Sequence, residues 1–275
     1  MVKTPFFSVL SLKDTRSCYG FLGTNLGGYM RKIKEIAGIN IDDISMEQAV
    51  ERIYEFIALN ENHSVFTPNA EIMMDGITNK DMKAILNGAD MLVADGAGVV
   101  LASKILGKAV TEKVSGFDLV KNLLAESSKR PIKFYLFGGK PGIPEKANAN
   151  IICDYPGAEV VGTRNGYFSK EDEASIIEEI NNSGADVLLV CLGAPKQELW
   201  ITENKSRLKV KASLGVGGTL DVLAGNVKLA PDFFRNNGLE WLYRLYKEPW
   251  RFKRMLRLPK FILYVLGIRI GLIKK

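Results

Sequence analysis

Residue types that hold metals or form cross-links are scarce in this sequence. Its 275 residues include one histidine, His63, and three cysteines, Cys18, Cys153 and Cys191, which are far apart and form no Cys-x-x-Cys pair. This spacing argues against a disulfide scaffold and a zinc ribbon, and it fits a reducing cytosol. No Asp-x-Asp pair occurs either, so we expect neither a metal held by the protein nor a cofactor. His63 could serve as the base of a Ser-His-Asp triad. The favoured interpretation is that its side chain is either satisfied by hydrogen bonds within the protein or solvated.

Nucleotide-binding fingerprints and membrane-spanning runs are also missing. No Gly-x-Gly-x-x-Gly occurs, since the candidate that begins at Gly215 has Leu220 in place of the third glycine, and Gly107-Lys108 lacks the P-loop spacing. The apolar run at residues 261–273 is broken by Arg269 and is too short to span a hydrocarbon layer of roughly 30 Å. These absences weaken the dinucleotide, P-loop and transmembrane interpretations.

Positive charge is concentrated in one part of the chain. Residues 241–275 hold ten Lys and Arg against one acidic residue, a net charge of +9, whereas residues 1–240 hold 27 against 30, a net charge of −3. A basic tail on a mildly acidic body is expected to meet a polyanion, either a nucleic acid or an anionic lipid surface.

Short apolar strands alternate with helical segments along most of the chain. Strands are predicted at residues 65–69, 91–95, 132–137, 158–162, 186–192 and 212–216, with helices at 97–106, 116–128, 142–153, 170–182, 196–205 and 218–224. A capping box at Ser45 and Gln48 predicts the start of an earlier helix, and Asn87-Gly88 predicts the end of a helix that follows residue 69.

The alternation predicts an α/β fold: a Rossmann-like, doubly wound, mainly parallel sheet with helices on both faces, plus a C-terminal basic amphipathic helical appendage. We expect three parts. Residues 1–29 are a poorly ordered extension or a misassigned start, residues 30–237 are the α/β domain, and residues 238–275 are a membrane-associating helical tail.

Polar residues follow two neighbouring strands within residues 65–95. One strand runs into Thr67-Pro68-Asn69 and the next ends on Asp95, so these side chains are expected along one edge of a parallel sheet, where such sheets bind ligands. Without a metal, Asp95 could take a proton from a sugar hydroxyl as a general base. From spacing alone, a turn and helix cap at Asp95-Gly96 is the favoured interpretation.

Glycine-rich turns follow three predicted strands and contain Gly138 and Gly139, Gly193, and Gly217 and Gly218. Glycine lets the backbone approach a phosphate, and the next helix offers free N–H groups, so the turns suggest a nucleotide diphosphate. Strand-to-helix turns also need glycine for their own geometry. For any one turn, that is the favoured interpretation.

Several motifs together resemble those of one glycosyltransferase family. They occur in order over residues 34–260, which makes the resemblance more specific than any single motif. The motifs are Thr67-Pro68-Asn69, Ala94-Asp95-Gly96, Lys113-Val114-Ser115-Gly116-Phe117-Asp118, Phe137-Gly138-Gly139, Gly193-Ala194-Pro195-Lys196-Gln197-Glu198, Gly215-Val216-Gly217-Gly218 through Ala224-Gly225 to Ala230-Pro231, and Gly238-Leu239-Glu240-Trp241-Leu242-Tyr243-Arg244. The set is similar to the WecG/TagA/CpsF glycosyltransferases, and most like the TagA enzymes among them.

The resemblance implies an inverting, metal-independent transfer of a sugar from a UDP donor to a polyprenyl-diphosphate-linked acceptor. In the best-known members the donor is UDP-N-acetylmannosamine (UDP-ManNAc) and the acceptor is undecaprenyl-diphosphate-GlcNAc, in wall teichoic acid synthesis. Matched by position, Asp95 would be the general base, and Thr67 and Asn69 would orient the sugars. Gln197 would contact the donor.

Cations must replace a metal where negative charge grows on the leaving UDP. Lys113 stands where a basic residue, often arginine, is usual in the family, so it would hold the diphosphate without a bidentate fork. Lys196 and three tail arginines, Arg244, Arg251 and Arg254, are further candidates. For Lys196 alone, a solvated lysine is an equally good interpretation.

The tail mixes aromatic and basic residues with almost no acid, which is typical of helices that lie on an anionic membrane. We therefore expect a cytoplasmic protein bound peripherally to the inner face of the bacterial plasma membrane, where a lipid-linked acceptor lies. The alternative is a helical hairpin packed on the body. Nucleic-acid binding is disfavoured because no recognisable module is present, and a homo-oligomer is left open.

Other function classes stay open at this point. The same fold could use another UDP-sugar, glucose or ManNAc uronic acid, for capsule or exopolysaccharide. A nucleotide-dependent oxidoreductase is a second class, against which the missing dinucleotide fingerprint counts. A non-catalytic nucleotide-binding protein of the membrane surface is a third.

Overall fold

The computed structural model describes residues 31–247, 249 and 252–273, without the side chains of Asn236, Arg244 and Lys253. The expectation for residues 1–29 and the role predicted for Arg251 lie outside the described residues. The strands are β1 (Ile33–Ile36), β2 (Ile39–Asp42), β3 (His63–Phe66), β4 (Met91–Leu92), β5 (Lys133–Gly138), β6 (Glu159–Arg164), β7 (Val187–Cys191) and β8 (Ala212–Gly215).

The helices of the described residues are α1 (Met46–Ala58), α2 (Ala70–Thr78), α3 (Lys80–Asn87), α4 (Ala97–Ile105), α5 (Gly116–Glu126), α6 (Ile143–Asp154), α7 (Glu173–Asn182), α8 (Lys196–Asn204), α9 (Thr219–Leu223), α10 (Asp232–Asn236), α11 (Glu240–Lys247), α12 (Phe252–Met255) and α13 (Arg257–Arg269).

Six strands form one sheet in the order β4-β3-β8-β7-β5-β6, and every neighbouring pair is parallel. All residues of β3, β7 and β8 are buried, as expected for strands covered on both faces. The structure confirms the predicted α/β fold, and each of the six predicted strands forms.

Helices cover both faces of the sheet. Buried side chains of α2, α3, α4, α7, α8 and α13 pack in one core cluster, and those of α1, α5, α6 and α9 pack in the other. β5 shows how alternation divides a strand between the two: Tyr135 and Phe137 belong to the first cluster, and Phe134 and Leu136 belong to the second.

Local chemistry explains where the elements begin and end. The predicted capping box is present, because Ser45 Oγ accepts from the Gln48 N–H and Gln48 Oε1 accepts from the Ser45 N–H. The single helix predicted after residue 69 is two helices, since Asn79 ends α2 and its side chain caps α3. β1 and β2 form a separate antiparallel hairpin that was not predicted. Both turn residues, Ala37 and Gly38, have positive φ, as a type I′ turn requires.

The C-terminal helix packs on the body. α13 lies against α2 and α4, with Phe261 and Val265 fully buried in the core. Its other side exposes Leu263, Leu266 and Ile270, so only that side is available to a membrane. The boundary predicted at residue 238 stays a prediction. None of the helices among the described residues is long and apolar enough to cross a membrane.

Candidate active site

The residues predicted for the site lie along one edge of the sheet. Because all six strands are parallel, the turns that follow them meet at the carboxyl edge. In sheet order, these turns carry Asp95 after β4, Thr67 and Asn69 after β3, Gly217 and Gly218 after β8, Lys196 and Gln197 after β7, and Gly138 and Gly139 at the end of β5.

Asp95 is held between the ends of β3 and β4. Its N–H donates to the carbonyl of Pro68 at 3.2 Å, and the carbonyl of the preceding Ala94 accepts from the Val114 N–H at 2.9 Å. The loop before α5 is thereby fixed beside Asp95. Gly116 N–H, at the start of α5, donates to Asp95 Oδ2 over a long 3.4 Å. This donor and the positive end of the helix dipole both stabilise the carboxylate form.

Thr67 joins the Asp95 region to β8. The side chain is buried, and its Oγ1 donates to the Gly215 carbonyl at 3.4 Å. A Cβ on Gly116 would lie 2.8 Å from Thr67 Oγ1. The start of α5 therefore needs glycine to approach Thr67 so closely. Thr67 and Asp95 flank the same helix terminus.

Asn69 is the N-cap of α2. Its Oδ1 accepts from the N–H groups of Glu71 and Ile72, at 2.9 and 3.1 Å, so this oxygen is committed to the helix. The Nδ2 group donates to none of the described residues. The predicted contact with a sugar would therefore use Nδ2 as the donor.

Gln197 is buried and joins α8 to the turn after β8. Its Oε1 accepts from the Gly217 N–H at 3.0 Å, and its Nε2 donates to Glu198 Oε1 at 2.9 Å. The amide is thus engaged with the protein itself. Gly217 N–H is consumed by this bond, so a phosphate at this turn would have to use the N–H of Gly218, which is exposed.

The chain reverses its winding direction between the adjacent strands β5 and β7. The helices that follow them, α6 and α8, pack on opposite faces of the sheet, which is the arrangement where open α/β sheets bind ligands. Gly138 lies so close to Cys191 that a Cβ would be 2.3 Å from its carbonyl oxygen, and Gly139 N–H donates to that oxygen at 3.0 Å. Lys196 Nζ lies over the Phe168 ring, 4.4 Å from its centroid.

Several helices that begin at this edge lack a side-chain cap. The starts of α4, α6 and α8 make no side-chain capping hydrogen bond, whereas α2 and α5 are capped by Asn69 and Ser115. Uncapped N–H groups and the helix dipole favour anions. The edge therefore offers backbone donors for phosphate groups. Among the described residues, no three His, Cys, Asp or Glu side chains are grouped as metal ligands.

Two ion pairs hold α10 and α11 near α5. Lys113 Nζ lies 2.7 Å from Glu240 Oε1 in α11, and Arg235 in α10 lies 2.8 Å from Asp118 Oδ1. Lys113 is thus beside the Asp95 loop, as predicted for a diphosphate ligand, but an acid of the tail occupies it. Gly238 lies between Arg235 and Glu240 in the sequence and packs closely against α4. A Cβ on Gly238 would be 2.7 Å from the Cβ of Ala97, and Ala97 follows Asp95 by two residues.

Two further ion pairs hold the tail on α2. Arg254 contacts both carboxylate oxygens of Glu71, at 2.6 and 3.2 Å, and Arg257 lies 2.5 Å from Asp75 Oδ1. These four residues, with Ala194 and Pro195, line a cavity of about 370 Å³. Arg254 is therefore at the carboxyl edge, as predicted, with a carboxylate as its partner. Arg244 lies in α11, and its side chain is outside the described part of the chain.

Comparison with known proteins decides the family. The sequence model of the glycosyl transferase WecG/TagA/CpsF family matches residues 34–275. The chain belongs to the WecG/TagA/CpsF family. This confirms the resemblance drawn from the motifs.

Two curated relatives of this WecG/TagA/CpsF protein are named N-acetylglucosaminyldiphosphoundecaprenol N-acetyl-beta-D-mannosaminyltransferase. The chain is 34% identical to the relative from Bacillus spizizenii strain W23 over 211 residues, which cover 77% of this chain and 81% of the relative. It is 34% identical to the relative from Bacillus subtilis strain 168 over 202 residues, which cover 74% and 78%.

Some residues at the edge of this WecG/TagA/CpsF protein were not predicted from sequence. Glu71 and Asp75 are one helical turn apart on α2, and Arg254 in α12 and Arg257 in α13 have a similar spacing. The match between these charges can be recognised only once α12 and α13 are known to lie beside α2. Glu198 is the last residue of the Gly193-Ala194-Pro195-Lys196-Gln197-Glu198 motif, but nothing in the sequence predicts that it is buried.

His63 lies at the start of β3, at the opposite end of that strand from Thr67. It is buried, stacks on Phe56 with 4.2 Å between ring centroids, and has Nδ1 3.7 Å from Asp90 Oδ1. The alternative of a solvated histidine is wrong, and the residue belongs to the core.

Proposed function

We propose that the protein transfers N-acetylmannosamine from UDP-ManNAc to undecaprenyl-diphosphate-linked GlcNAc, with inversion at the anomeric carbon and without a metal. Membership of the family supports the reaction class, and the names of both relatives support the sugar and the acceptor. The pathway would be wall teichoic acid or related surface-polysaccharide synthesis.

The placement of Asp95 carries this proposal. The carboxylate lies at the carboxyl edge and contacts the start of α5, which the Thr67 hydroxyl also approaches. Asp95 would remove the proton of the acceptor hydroxyl while the oxygen of that hydroxyl forms a bond to the anomeric carbon of the donor sugar. The bond from that carbon to the diphosphate oxygen then breaks, and UDP leaves with the electron pair. Attack opposite the leaving group gives inversion.

The leaving diphosphate needs positive charge where its own negative charge grows. Lys113 is beside Asp95 and Lys196 begins the helix after β7, and the starts of α4, α6 and α8 lack side-chain caps, so their dipoles favour an anion. Arg254 is at the same edge. Binding of the diphosphate would compete with Glu240 for Lys113. Ion pairs near the protein surface contribute only about 0–1 kcal/mol, so breaking the Lys113–Glu240 pair would cost little free energy.

The tail would bring this edge to the membrane. Large apolar side chains exposed on or near it are Phe233, Trp241, Leu242, Tyr246, Phe252, Leu256, Leu263, Leu266, Ile270 and Leu272. All of them except Phe233 lie on the segment with a net charge of +9. Aromatic, aliphatic and basic side chains together suit an anionic lipid interface. The proposed location is the inner face of the bacterial plasma membrane, where a lipid-diphosphate acceptor is presented.

A donor panel tests the proposal. Purified protein would be incubated with a short-chain prenyl-diphosphate-GlcNAc and each of UDP-ManNAc, UDP-glucose, UDP-GlcNAc and UDP-ManNAc uronic acid, and the glycolipid product measured by mass spectrometry. We expect a product with UDP-ManNAc, at a rate unchanged by EDTA. A product with another sugar only would replace the donor assignment. UDP binding without any product would favour a non-catalytic nucleotide-binding protein.

A further inference from the structure

Glu198 is a fully buried acid in the first turn of α8. Its exposed fraction is 0%, and its Oε1 accepts a hydrogen bond from Gln197 Nε2 at 2.9 Å. Its Oε2 has no hydrogen-bond partner among the described residues. A buried carboxyl with one unsatisfied oxygen is costly, so its presence needs an explanation.

The hydrogen bonds around Glu198 run in one direction. The Gly217 N–H can only donate, so Gln197 must present its Oε1 to that group, as it does at 3.0 Å. The Nε2 end of the amide then points away from Gly217, and a buried Nε2 needs an acceptor. Glu198 Oε1 is that acceptor. The carboxyl therefore satisfies the Nε2 end of the amide while Oε1 faces the turn.

The turn that receives this chain of bonds lies at the centre of the site edge. Gly217 has φ of +54° and links β8 to α9. The same strand end contacts the Thr67 hydroxyl through the Gly215 carbonyl. A shift of Gly217 would also move the N–H of the exposed Gly218, for which no acceptor is seen among the described residues.

We propose that Glu198 is a positioning residue that acts through Gln197 to hold the turn between β8 and α9 in the shape that receives the donor diphosphate. This inference rests on the proposed function for the identity of the ligand. Glu198 itself touches no substrate, since it is fully buried behind Gln197. Its acceptor oxygen, and not its charge, is the feature that matters.

The environment of Glu198 favours a neutral carboxyl. Burial raises the pKa of Glu198 above its ordinary value, against a smaller opposite effect of the hydrogen bond from Gln197. A neutral carboxyl and a carboxamide have nearly the same shape and both offer one acceptor oxygen. Glutamine at position 198 should therefore replace glutamate, whereas leucine should not.

The experiment compares Glu198→Leu, which removes the acceptor, with Glu198→Gln, which keeps it. Glu203→Leu, at an exposed position of the same helix, is the control. We expect Glu198→Leu to raise the KM for UDP-ManNAc about five- to tenfold, the effect of one lost hydrogen bond, with kcat within about twofold. Glu198→Gln and Glu203→Leu should retain the wild-type KM. Equal KM values for all four proteins, or equal damage in the Gln and Leu variants, would overturn the inference.

Hydrogen exchange of the Gly217 amide supplies a readout that needs no substrate. We expect slow exchange in the wild type and in Glu198→Gln, and much faster exchange in Glu198→Leu. Rapid exchange at Gly217 in the wild type would refute the positioning role by itself. If Glu198→Leu does not fold, Glu198→Met fills the same space with a flexible chain and serves instead.

The two proposals fail in different ways. Absence of turnover with every UDP-sugar would refute the proposed function. Hydrogen exchange at Gly217 would then still test whether Glu198 holds the turn through Gln197. Normal turnover with an unchanged KM in Glu198→Leu would remove only the role of Glu198.

Discussion

At the residue scale, the proposed mechanism depends on Asp95, which lies in an Asp-Gly pair after β4. Asp-Gly after a strand is typical of a turn, and spacing alone could not distinguish that use from a catalytic one. The family motifs selected Asp95. The structure adds a hydrogen bond from Gly116 N–H to Asp95, and it brings the Thr67 hydroxyl close to the same glycine. Gly116 is about 20 positions from Asp95 and about 50 from Thr67, so local sequence carries no sign of these contacts.

Gln197 illustrates what a motif leaves out. Its position in a family pattern predicts a donor contact, but the side chain is already committed to Gly217 and Glu198. The direct contact stays a prediction. Which polar groups satisfy one another depends on packing between α8 and β8, and that packing is a property of the fold.

Asp90 provides a test of buried electrostatics away from the site. It accepts from Ser64 N–H at 2.7 Å and from Lys205 Nζ at 2.5 Å. Burial alone would raise the pKa of Asp90, but contacts with His63, Lys205 and Ser64 outweigh it and hold the pKa well below its usual range. The ionised group thus stabilises the fold fully above the unfolded pKa of about 3.9, and this stabilisation is lost as pH falls toward the folded pKa.

We expect Asp90→Asn to lower the free energy of unfolding by about 2 kcal/mol at pH 7, the value of hydrogen bonds to a charged group. The deficit relative to wild type should shrink as the pH is lowered below 4. Urea unfolding at pH 7 and pH 3 measures it, with Asp81→Asn, at an exposed position, as the control. A deficit of the same size at both pH values would show that ionisation of Asp90 is not its source.

At the element scale, the six sheet strands and the helices between them follow from periodicity, because a strand buried on both faces must be continuously apolar. The exceptions have local causes. Asn79 divides one predicted helix into two, and the hairpin of β1 and β2 turns at Ala37-Gly38 instead of the more typical Asn-Gly. Which side of α13 packs inward could not be predicted, since the run is apolar on most sides.

Docking of α13 through Phe261 gives the second prediction. We expect Phe261→Ala to lower the free energy of unfolding by about 3–5 kcal/mol, because it opens a cavity among α2, α4 and α13. Leu263→Ala, whose side chain is 66% exposed on the same helix, should change it by less than about 0.5 kcal/mol. Equal small losses for both variants in urea unfolding would mean that α13 is not part of the core.

At the scale of the whole molecule, positive charge is concentrated in the tail, which also exposes large apolar side chains, while the body is mildly acidic. The tail is tied to the body by the ion pair of Glu240 with Lys113, just before α5, and by those of Arg254 and Arg257 with α2. The sequence predicted the charge asymmetry fully, since composition shows it directly. It could not show that two tail arginines are already paired with Glu71 and Asp75, which lowers the positive charge left for lipid.

Membrane binding gives the third prediction. Deletion of residues 241–275 would also remove Phe261 and Val265 from the core, so substitution of exposed side chains is the cleaner test. The variant replaces four of them with serine: Tyr246, Phe252, Leu263 and Ile270. Each should lose on the order of 1 kcal/mol of transfer free energy, and sedimentation with anionic vesicles should fall at least about tenfold.

A matched control replaces exposed apolar residues of the body, Ile152 and Tyr167, with serine. It should sediment with the vesicles like the wild type. If the tail variant also sediments like the wild type, the proposed membrane surface is in the wrong place.

The most direct test of the whole account is the transfer rate of Asp95→Asn, measured as glycolipid formed from UDP-ManNAc and prenyl-diphosphate-GlcNAc. Asparagine keeps the shape of the side chain but cannot take a proton. We expect the rate to fall by a factor of about 10²–10⁴, the usual contribution of a general base, while UDP binding and the unfolding midpoint stay at wild-type values. A variant that folds, binds UDP and turns over at a near-normal rate would contradict the assignment of Asp95 and the mechanism built on it.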